Sequence, residues 1–174
     1  ARLEHPGKNH VRLLEALALL KQRGRLSHKL VLAGSPWNGA DVIDASITQL
    51  GLSDDVILTG FVENRLLPEL YAAAEVFVFP SLFEGFGIPL LEAMAAGTAV
   101  CAANVSSIPE VVGDAALLFD PREPDDIARQ LERLLRDTAL RQQLVACGRQ
   151  RAQLFSWDDA ASGVLAQCYE AVAA

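Results

Sequence analysis

The sequence of 174 residues is long enough for one domain with a complete hydrophobic core, but short for two compact domains. Hydrophobic residues make up 51% of it, yet no apolar run approaches the roughly 20 residues that a membrane span needs. The formal net charge of -7 argues against a nucleic-acid-binding surface, although it leaves room for a local cationic pocket.

The cysteines indicate the redox environment of the protein, and the first residues indicate whether the sequence is a fragment. Cys101, Cys147 and Cys168 are odd in number and lack the spacing of metal ligands, so we expect free thiols in a cytoplasmic protein. The sequence begins with Ala-Arg-Leu, without an initiator methionine or a signal-peptide pattern. We therefore expect a fragment of a longer protein.

Apolar spacing predicts alternating strands and helices over the first two thirds of the chain. The predicted helices there are residues 8–23, 40–50, 66–74, 90–96 and 108–112. The predicted strands are residues 30–33, 56–59, 76–79, 99–103 and 116–119. After Pro121 the pattern predicts three consecutive helices, 125–137, 140–155 and 158–173, with Ser156 as the N-cap and Trp157 as a packing residue of the last one.

This alternation predicts the fold class. Short apolar strands joined by helices form parallel β-α-β units, because each parallel crossover needs a connection of helix length. We therefore predict one α/β domain, a doubly wound Rossmann-like parallel sheet with helices on both faces and a C-terminal helical tail. Ligands of such folds bind at the carboxyl ends of the strands. Gly34 and residues 60–62, 81–87 and 104–107 follow strand ends and are predicted to line one common edge.

The stretch from Phe79 to Gly97 is the most informative part of the sequence. It joins a strand to a helix through a Gly-Phe-Gly turn, with Pro89 suited to the first helical turn. The free N–H groups at such a helix start attract phosphate. Glu84 in the turn and Glu92 inside the helix add two acceptors for hydroxyl groups. Together these features suit a nucleotide sugar.

Less specific interpretations exist for the same charged residues. Glu84 could simply stabilise the helix start, and Glu92 could simply face solvent. Alternatively, the two could be the acid/base pair of a glycosidase. Arg2 and Lys8 could be solvated cations beside the predicted helix 8–23. Cations at a helix N-terminus oppose its macrodipole, however, so their placement favours a bound anion.

The motif as a whole resembles a known family. Residues 81–97, with Arg2 and Lys8 upstream and Thr59-Gly-Phe-Val62 between, are similar to the nucleotide-binding C-terminal half of retaining glycosyltransferases of the GT-B fold (group 1, or family 4). The resemblance covers nearly the whole chain. It implies that residues 1–174 are the C-terminal nucleotide-sugar-binding domain, and that the N-terminal acceptor domain is absent from this fragment.

The resemblance implies a role for each matching residue. Arg2 and Lys8 would hold the donor diphosphate and stabilise the departing nucleotide, and Glu84 would act on the donor sugar; these three are the predicted catalytic residues. Glu92 would accept hydrogen bonds from the ribose diol. The other predicted substrate-binding residues are Val62 beside the base and Gly85, Phe86, Gly87 and Ile88 beside the sugar and phosphates. Fixed cations replace a metal in this family, so no metal and no cofactor are expected.

The implied activity is transfer of a hexose to an acceptor hydroxyl in polysaccharide or glycolipid synthesis. Mannose from GDP-mannose is favoured over glucose from UDP-glucose. The implied partners are the nucleotide sugar, a saccharide or lipid-linked acceptor and the missing domain, and the resemblance allows peripheral association of the full-length enzyme with the inner membrane face. Two other interpretations remain: a non-catalytic nucleotide-binding α/β module, and a sugar-nucleotide epimerase. We expect the isolated fragment to be inactive.

The start of the chain raises a further expectation. In a doubly wound domain of this type, a strand should immediately precede Arg2 near the middle of the sheet, and without it the neighbouring edges would be unpaired. We expect another segment or a partner chain to fill that place, or Arg2 to be displaced.

Overall fold

The computed structural model describes residues 2–3 and 5–173, without the side chains of Arg2, Val172 and Ala173. The strands of this part are Arg2–Leu3 (β1), Leu30–Ala33 (β2), Ser35–Pro36 (β3), Val56–Gly60 (β4), Val76–Phe79 (β5), Ala99–Ala103 (β6) and Ala116–Phe119 (β7). The helices are His10–Gln22 (α1), Ala40–Gln49 (α2), Leu67–Ala73 (α3), Ile88–Ala96 (α4), Ile108–Val112 (α5), Pro124–Arg136 (α6), Thr138–Ala152 (α7) and Trp157–Ala173 (α8), with a 3₁₀ turn at Asn64–Leu66.

The strands pair in parallel, as predicted. Within the described residues β1 pairs with β3, β2 with β4, and β5, β6 and β7 form a three-stranded sheet in that order. Helices flank these sheets: α1 packs against α2 and α6, whereas α4 packs against α3 and α7. The predicted α/β class, with parallel strands between helices and a helical C-terminal part, is confirmed.

The start of the chain also forms a strand. Arg2 and Leu3 themselves form a strand, which pairs with Ser35 and Pro36 beyond the end of β2. No pairing joins β2 to β5 among residues 2–3 and 5–173. In the described structure no strand therefore pairs with both β2 and β5. A helix connects these two parts of the domain instead.

That connecting helix is α1, which contributes to two hydrophobic cores. Leu13, Ala16 and Leu20 pack into a core with β5, β6, β7, α4 and α6. Leu14, Leu17 and Ala18 pack into a second core with Leu3, β2 and α2. The five positions from Leu13 to Leu17 span more than one helical turn, so apolar residues at successive turns reach both sides. One helix thereby packs against the β5–β6–β7 sheet with one face and against the β2–β4 sheet with the other.

Two aromatic residues are placed differently from the sequence prediction. Trp157 was expected to pack, but its side chain is 80% exposed at the start of α8. An aromatic residue just after a strand is commonly a core residue, but Phe61 is 72% exposed after β4. Ser156 does precede α8 as predicted and accepts a hydrogen bond from the Asp159 N–H at 3.0 Å, which is an N-cap contact.

Among the described residues, no helix is both long and apolar enough to cross a membrane.

Candidate functional site

The loops after neighbouring strands are bonded to one another. The N–H of Gly34, after β2, donates to the carbonyl of Gly60 at the end of β4 at 3.0 Å. The N–H of Asn104, after β6, donates to the carbonyl of Phe119 at the end of β7 at 2.8 Å. Because parallel strands end at the same side of a sheet, these contacts place the predicted loops along the carboxyl edges.

The turn before α1 is fixed against the loop after β5. The Leu82 N–H donates to the Gly7 carbonyl at 3.0 Å. Asn9, which is buried, donates through Nδ2 to the carbonyls of Pro80 at 3.0 Å and Pro121 at 2.8 Å. Asn9 has a φ of 56°, a left-handed conformation that asparagine tolerates better than most residues. Residues 7–9 are therefore held against the segment that leads to α4.

This contact brings Lys8 and Glu84 together. The Lys8 Nζ lies 2.7 Å from Glu84 Oε1, and the Glu84 side chain is only 16% exposed. Two residues predicted from separate motifs, 76 positions apart, thus form one ion pair. An ammonium group has three N–H donors, so Lys8 keeps two for an anion while it is bonded to Glu84.

The backbone of Glu84 is held from the other side by the loop after β6. The Glu84 N–H donates to Ser106 Oγ at 3.1 Å, and Ser106 Oγ donates to the Glu84 carbonyl at 3.1 Å. The Ser107 hydroxyl donates to the same carbonyl at 2.9 Å. Glu84 is consequently fixed at its main chain by two serines and at its carboxylate by Lys8.

The turn after Glu84 contains backbone donors without an acceptor. In the described part of the chain, the N–H groups of Gly85, Phe86, Gly87 and Ile88 have no hydrogen-bond acceptor. They lie at the N-terminus of α4, where the helix macrodipole favours negative charge. Gly87 has a φ of 99°, in the region that glycine alone adopts readily. Unpaired N–H groups in a glycine turn at a helix start are of the kind that can bind an anion, and Lys8 is paired with Glu84, the residue before this turn.

Glu92 lies about one turn further along α4. Its side chain is exposed, and its Oε2 accepts a hydrogen bond from the Tyr71 hydroxyl at 3.0 Å. Glu84 and Glu92 therefore have different partners, one a cation and the other a phenol. This distinction supports separate binding roles better than it supports a pair of carboxyl groups acting as acid and base on one bond.

The remaining predicted residues are placed less completely. Val62 is partly buried in the loop after β4, and no hydrogen bond among the described residues joins it to the network around Glu84. Arg2 pairs through its backbone with Ser35, which follows Gly34, but its side chain lies outside the described part. The role of the Arg2 guanidinium remains a prediction.

Ser106 and Ser107 lie in the segment 104–107 that was predicted to line the edge, but their bonds to Glu84 were not foreseen, and Asn9 and Tyr71 were not predicted as site residues. Asn9 and Ser107 carried a signal, because asparagine and serine before a helix are common N-cap residues. The hydroxyl of Tyr71 carried none, because its partner Glu92 lies 21 positions away on another helix.

Comparison with known proteins places this site in a family. The sequence profile described as "Glycosyl transferases group 1" matches residues 1–151. Among curated proteins, the chain is 40% identical over 154 residues to O-antigen chain mannosyltransferase B of Escherichia coli, a match that covers 88% of this chain and 40% of that protein. The chain thus spans about two fifths of the length of that relative.

Solved structures show the same fold. The structure of Anabaena HepE in complex with UDP and glucose matches with a TM-score of 0.84 and 25% identity, covering 98% of this chain and 47% of that one. A crystal structure of the C-terminal domain of the group 1 glycosyl transferase LpcC from Francisella tularensis matches with a TM-score of 0.72 and 27% identity, covering 88% of this chain and 81% of that one.

Proposed function

The chain belongs to the glycosyl transferases group 1 family, and we propose that it is the nucleotide-sugar-binding C-terminal domain of a two-domain enzyme. The share of the relatives that the chain covers, 40% of the E. coli mannosyltransferase and 47% of HepE, supports a half-length unit. The likeness to a C-terminal domain solved by itself supports the same assignment. The acceptor-binding domain then lies outside this sequence.

The observation that carries the proposal is the row of free N–H groups from Gly85 to Ile88, next to Lys8. Four backbone donors at a helix N-terminus and one cation suit the oxygens of a diphosphate. Lys8 contributes the two ammonium donors that it does not share with Glu84. Arg2, the first residue of β1, would add a second cation; its backbone pairs with Ser35, just beyond the carboxyl end of β2.

The two glutamates then recognise the rest of the donor. Glu92, exposed on α4, accepts the hydroxyls of the ribose, because a carboxylate can receive two hydrogen bonds from a vicinal diol. Glu84, held by Lys8 and the two serines, orients the hexose with the backbone of Gly85, Phe86 and Gly87. Val62 would contact the base from the loop after β4.

The reaction that suits these residues is hexosyl transfer with retention of configuration. The bond between the anomeric carbon and the diphosphate oxygen breaks while the acceptor oxygen bonds to the same face of the sugar. The departing phosphate receives the acceptor proton, and Lys8 and Arg2 stabilise the negative charge that develops on the diphosphate. Glu84 positions the sugar as it becomes oxocarbenium-like.

Mannose from GDP-mannose is the donor we favour, with glucose from UDP-glucose as the second choice. The 40% identity to an O-antigen mannosyltransferase supports mannose, and the UDP complex of HepE supports a uridine donor for the second. The acceptor would be a saccharide or lipid-linked saccharide in polysaccharide synthesis. For such an acceptor, the complete enzyme would work in the cytoplasm at the inner membrane face.

The test is a transfer assay with the full-length enzyme, which is supplied with GDP-mannose or UDP-glucose and a panel of mannoside acceptors. We expect mannose transfer from GDP-mannose, and an α-linked product by NMR because the donor is an α-linked sugar phosphate. Inversion to a β-linked product would contradict the mechanism. Binding of the nucleotide without any transfer would favour the non-catalytic module, and conversion of the donor sugar without an acceptor would favour an epimerase.

A further inference from the structure

The hydrogen bond between Tyr71 and Glu92 joins two helices beside the proposed donor site. Tyr71 lies in the second half of α3 and is half-buried, whereas Glu92 lies on α4 and is exposed. The Tyr71 hydroxyl donates to Glu92 Oε2 at 3.0 Å. Glu92 Oε1 has no partner among the described residues and is free to accept hydrogen bonds from a ligand.

Tyr71 is itself fixed at both ends. Its ring packs edge to face on Phe77 of β5, with ring centres 5.3 Å apart and planes at 87°. Its main-chain carbonyl accepts a hydrogen bond from the hydroxyl of buried Thr98 at 2.6 Å. The phenol is therefore a rigid donor anchored to the strand and to the segment after α4.

The protonation of Tyr71 is suited to this contact. Burial raises the pKa of Tyr71, and the negative charge of Glu92 and the hydrogen bond to it raise the pKa further. The hydroxyl therefore keeps its proton throughout the neutral range and remains a donor to the carboxylate.

A free glutamate on a helix surface samples many rotamers, and fixing one of them on ligand binding costs side-chain entropy. A carboxylate already held at one oxygen loses less freedom when a ligand binds to the other. From this geometry we infer that Tyr71 is a positioning residue, which orients the Glu92 carboxylate toward the ribose diol of the donor nucleotide. This inference rests on the proposed function, because it assumes that Glu92 binds the ribose.

The experiment compares Tyr71→Phe with wild type in calorimetric titrations of this chain with GDP and UDP and with their 2′,3′-dideoxy forms. Removal of the hydroxyl should weaken binding of the preferred ribonucleotide by about three- to tenfold, the size of one lost hydrogen bond. Binding of the dideoxy form should change by less than about twofold, because it has no ribose hydroxyls to donate hydrogen bonds to Glu92. That unchanged affinity also shows that the variant is folded.

The matched control is Tyr169→Phe, the same substitution at the other tyrosine, which is 74% exposed on α8. It should leave both affinities unchanged. Equal weakening of ribonucleotide and dideoxynucleotide binding by Tyr71→Phe would overturn the inference, because it would show a purely structural role.

Glu92→Ala separates this inference from the proposed function. If Glu92→Ala weakens ribonucleotide binding while Tyr71→Phe does not, Tyr71 is not a positioning residue and the proposed role of Glu92 stands. If Glu92→Ala leaves ribonucleotide binding intact, the assignment of the ribose to Glu92 fails, and the role of Tyr71 fails with it.

Discussion

Lys8 and Glu84 lie 2.7 Å apart, so the cation proposed for the diphosphate already has a carboxylate partner when no ligand is bound. A diphosphate would have to share Lys8 with Glu84, and its own negative charge would be repelled by the carboxylate. A sugar on the diphosphate changes the balance, because its hydroxyls can donate to Glu84. We therefore expect the pair to favour the complete donor over the nucleotide alone.

We predict that Glu84→Gln separates these two effects. Removal of the carboxylate charge should strengthen GDP or UDP binding by about two- to fivefold, the size of a modest ion-pair interaction. The additional affinity for the sugar nucleotide over the free nucleotide should fall. Calorimetry with both ligands measures the difference, with Glu63→Gln as the control, because Glu63 pairs with Arg65 at 2.6 Å on the exposed 3₁₀ turn. Weaker GDP and UDP binding in Glu84→Gln would contradict the charge argument.

In the folded protein, Tyr71 should lose its proton at a higher pH than an ordinary tyrosine. Its pKa is raised, so the folded state holds its proton more tightly than the unfolded state, and stability should fall as the pH rises past the ordinary tyrosine value of about 10. The tyrosinate absorbance of wild type minus that of Tyr71→Phe isolates this titration. We expect its midpoint above 10, and a lower midpoint in Glu92→Gln, because two of the three causes act through Glu92. A wild-type midpoint at or below about 10 would be inconsistent with the buried hydrogen bond.

At the scale of the elements, the turn into α4 contains two glycines with different tasks. A Cβ at Gly85 would meet no protein atom within 4 Å, whereas a Cβ at Gly87 would lie 2.8 Å from Cδ1 of the fully buried Leu90, at a φ of 99°. The space over Gly85 is open to a ligand, and the conformation of Gly87 is required by the fold.

Substitution by alanine should therefore affect the two positions differently. Gly87→Ala should lower the free energy of unfolding by about 1–3 kcal/mol through backbone strain. Gly85→Ala should leave stability nearly unchanged but weaken nucleotide binding, since the methyl group would occupy the phosphate turn. Urea denaturation and calorimetry measure the two effects. Equal losses of stability in Gly85→Ala and Gly87→Ala would contradict the different roles assigned to the two glycines.

The regular elements could be predicted because their signals are local. The strands 30–33, 76–79, 99–103 and 116–119 have the predicted bounds, since each is an apolar run ended by glycine, proline or a polar residue. Helix α4 begins at Ile88 instead of Leu90, because Pro89 occupies its first turn after the left-handed Gly87. The Glu84 and Glu92 motif was predictable for the same reason, since both lie on one continuous segment.

The elements that depend on distant contacts could not be predicted. β1 and β3 have two residues each, without apolar periodicity, and exist only because Arg2–Leu3 and Ser35–Pro36 pair. The Lys8 and Glu84 contact depends on Asn9, whose bonds to Pro80 and Pro121 span 71 and 112 positions. Trp157 was predicted to pack from its apolar character, but apolar residues also remain exposed on protein surfaces.

At the level of the whole molecule, α1 packs against both the β2–β4 sheet and the β5–β6–β7 sheet, which do not pair with each other in the described structure. We predict a single unfolding transition. Cys101, fully buried in β6, reports on the core around the β5–β6–β7 sheet. Burial, and then the charge of Asp126, raise the pKa of its thiol, so the thiol stays unreactive while this core is folded. Trp37, beside β3, reports on the other half.

The measurement uses a variant in which these two reporters are the only ones of their kind, with Trp157→Phe, Cys147→Ser and Cys168→Ser. Cys101 labelling and Trp37 fluorescence should change at the same urea concentration. Two separate midpoints would show that α1 does not couple the sheets.

We propose that Lys8 and the start of α4 form the diphosphate site of a nucleotide sugar. Calorimetric titration of this chain with GDP, UDP and ADP, in wild type and in Lys8→Ala, tests it most directly. Lys21→Ala is the control, since Lys21 pairs with Asp55 at 2.6 Å at the opposite end of α1. We predict that GDP or UDP binds one site per chain, and that Lys8→Ala weakens it about tenfold or more through the loss of charged hydrogen bonds, whereas Lys21→Ala does not. Absence of binding by all three nucleotides, or equal affinity in wild type and Lys8→Ala, would contradict the claim.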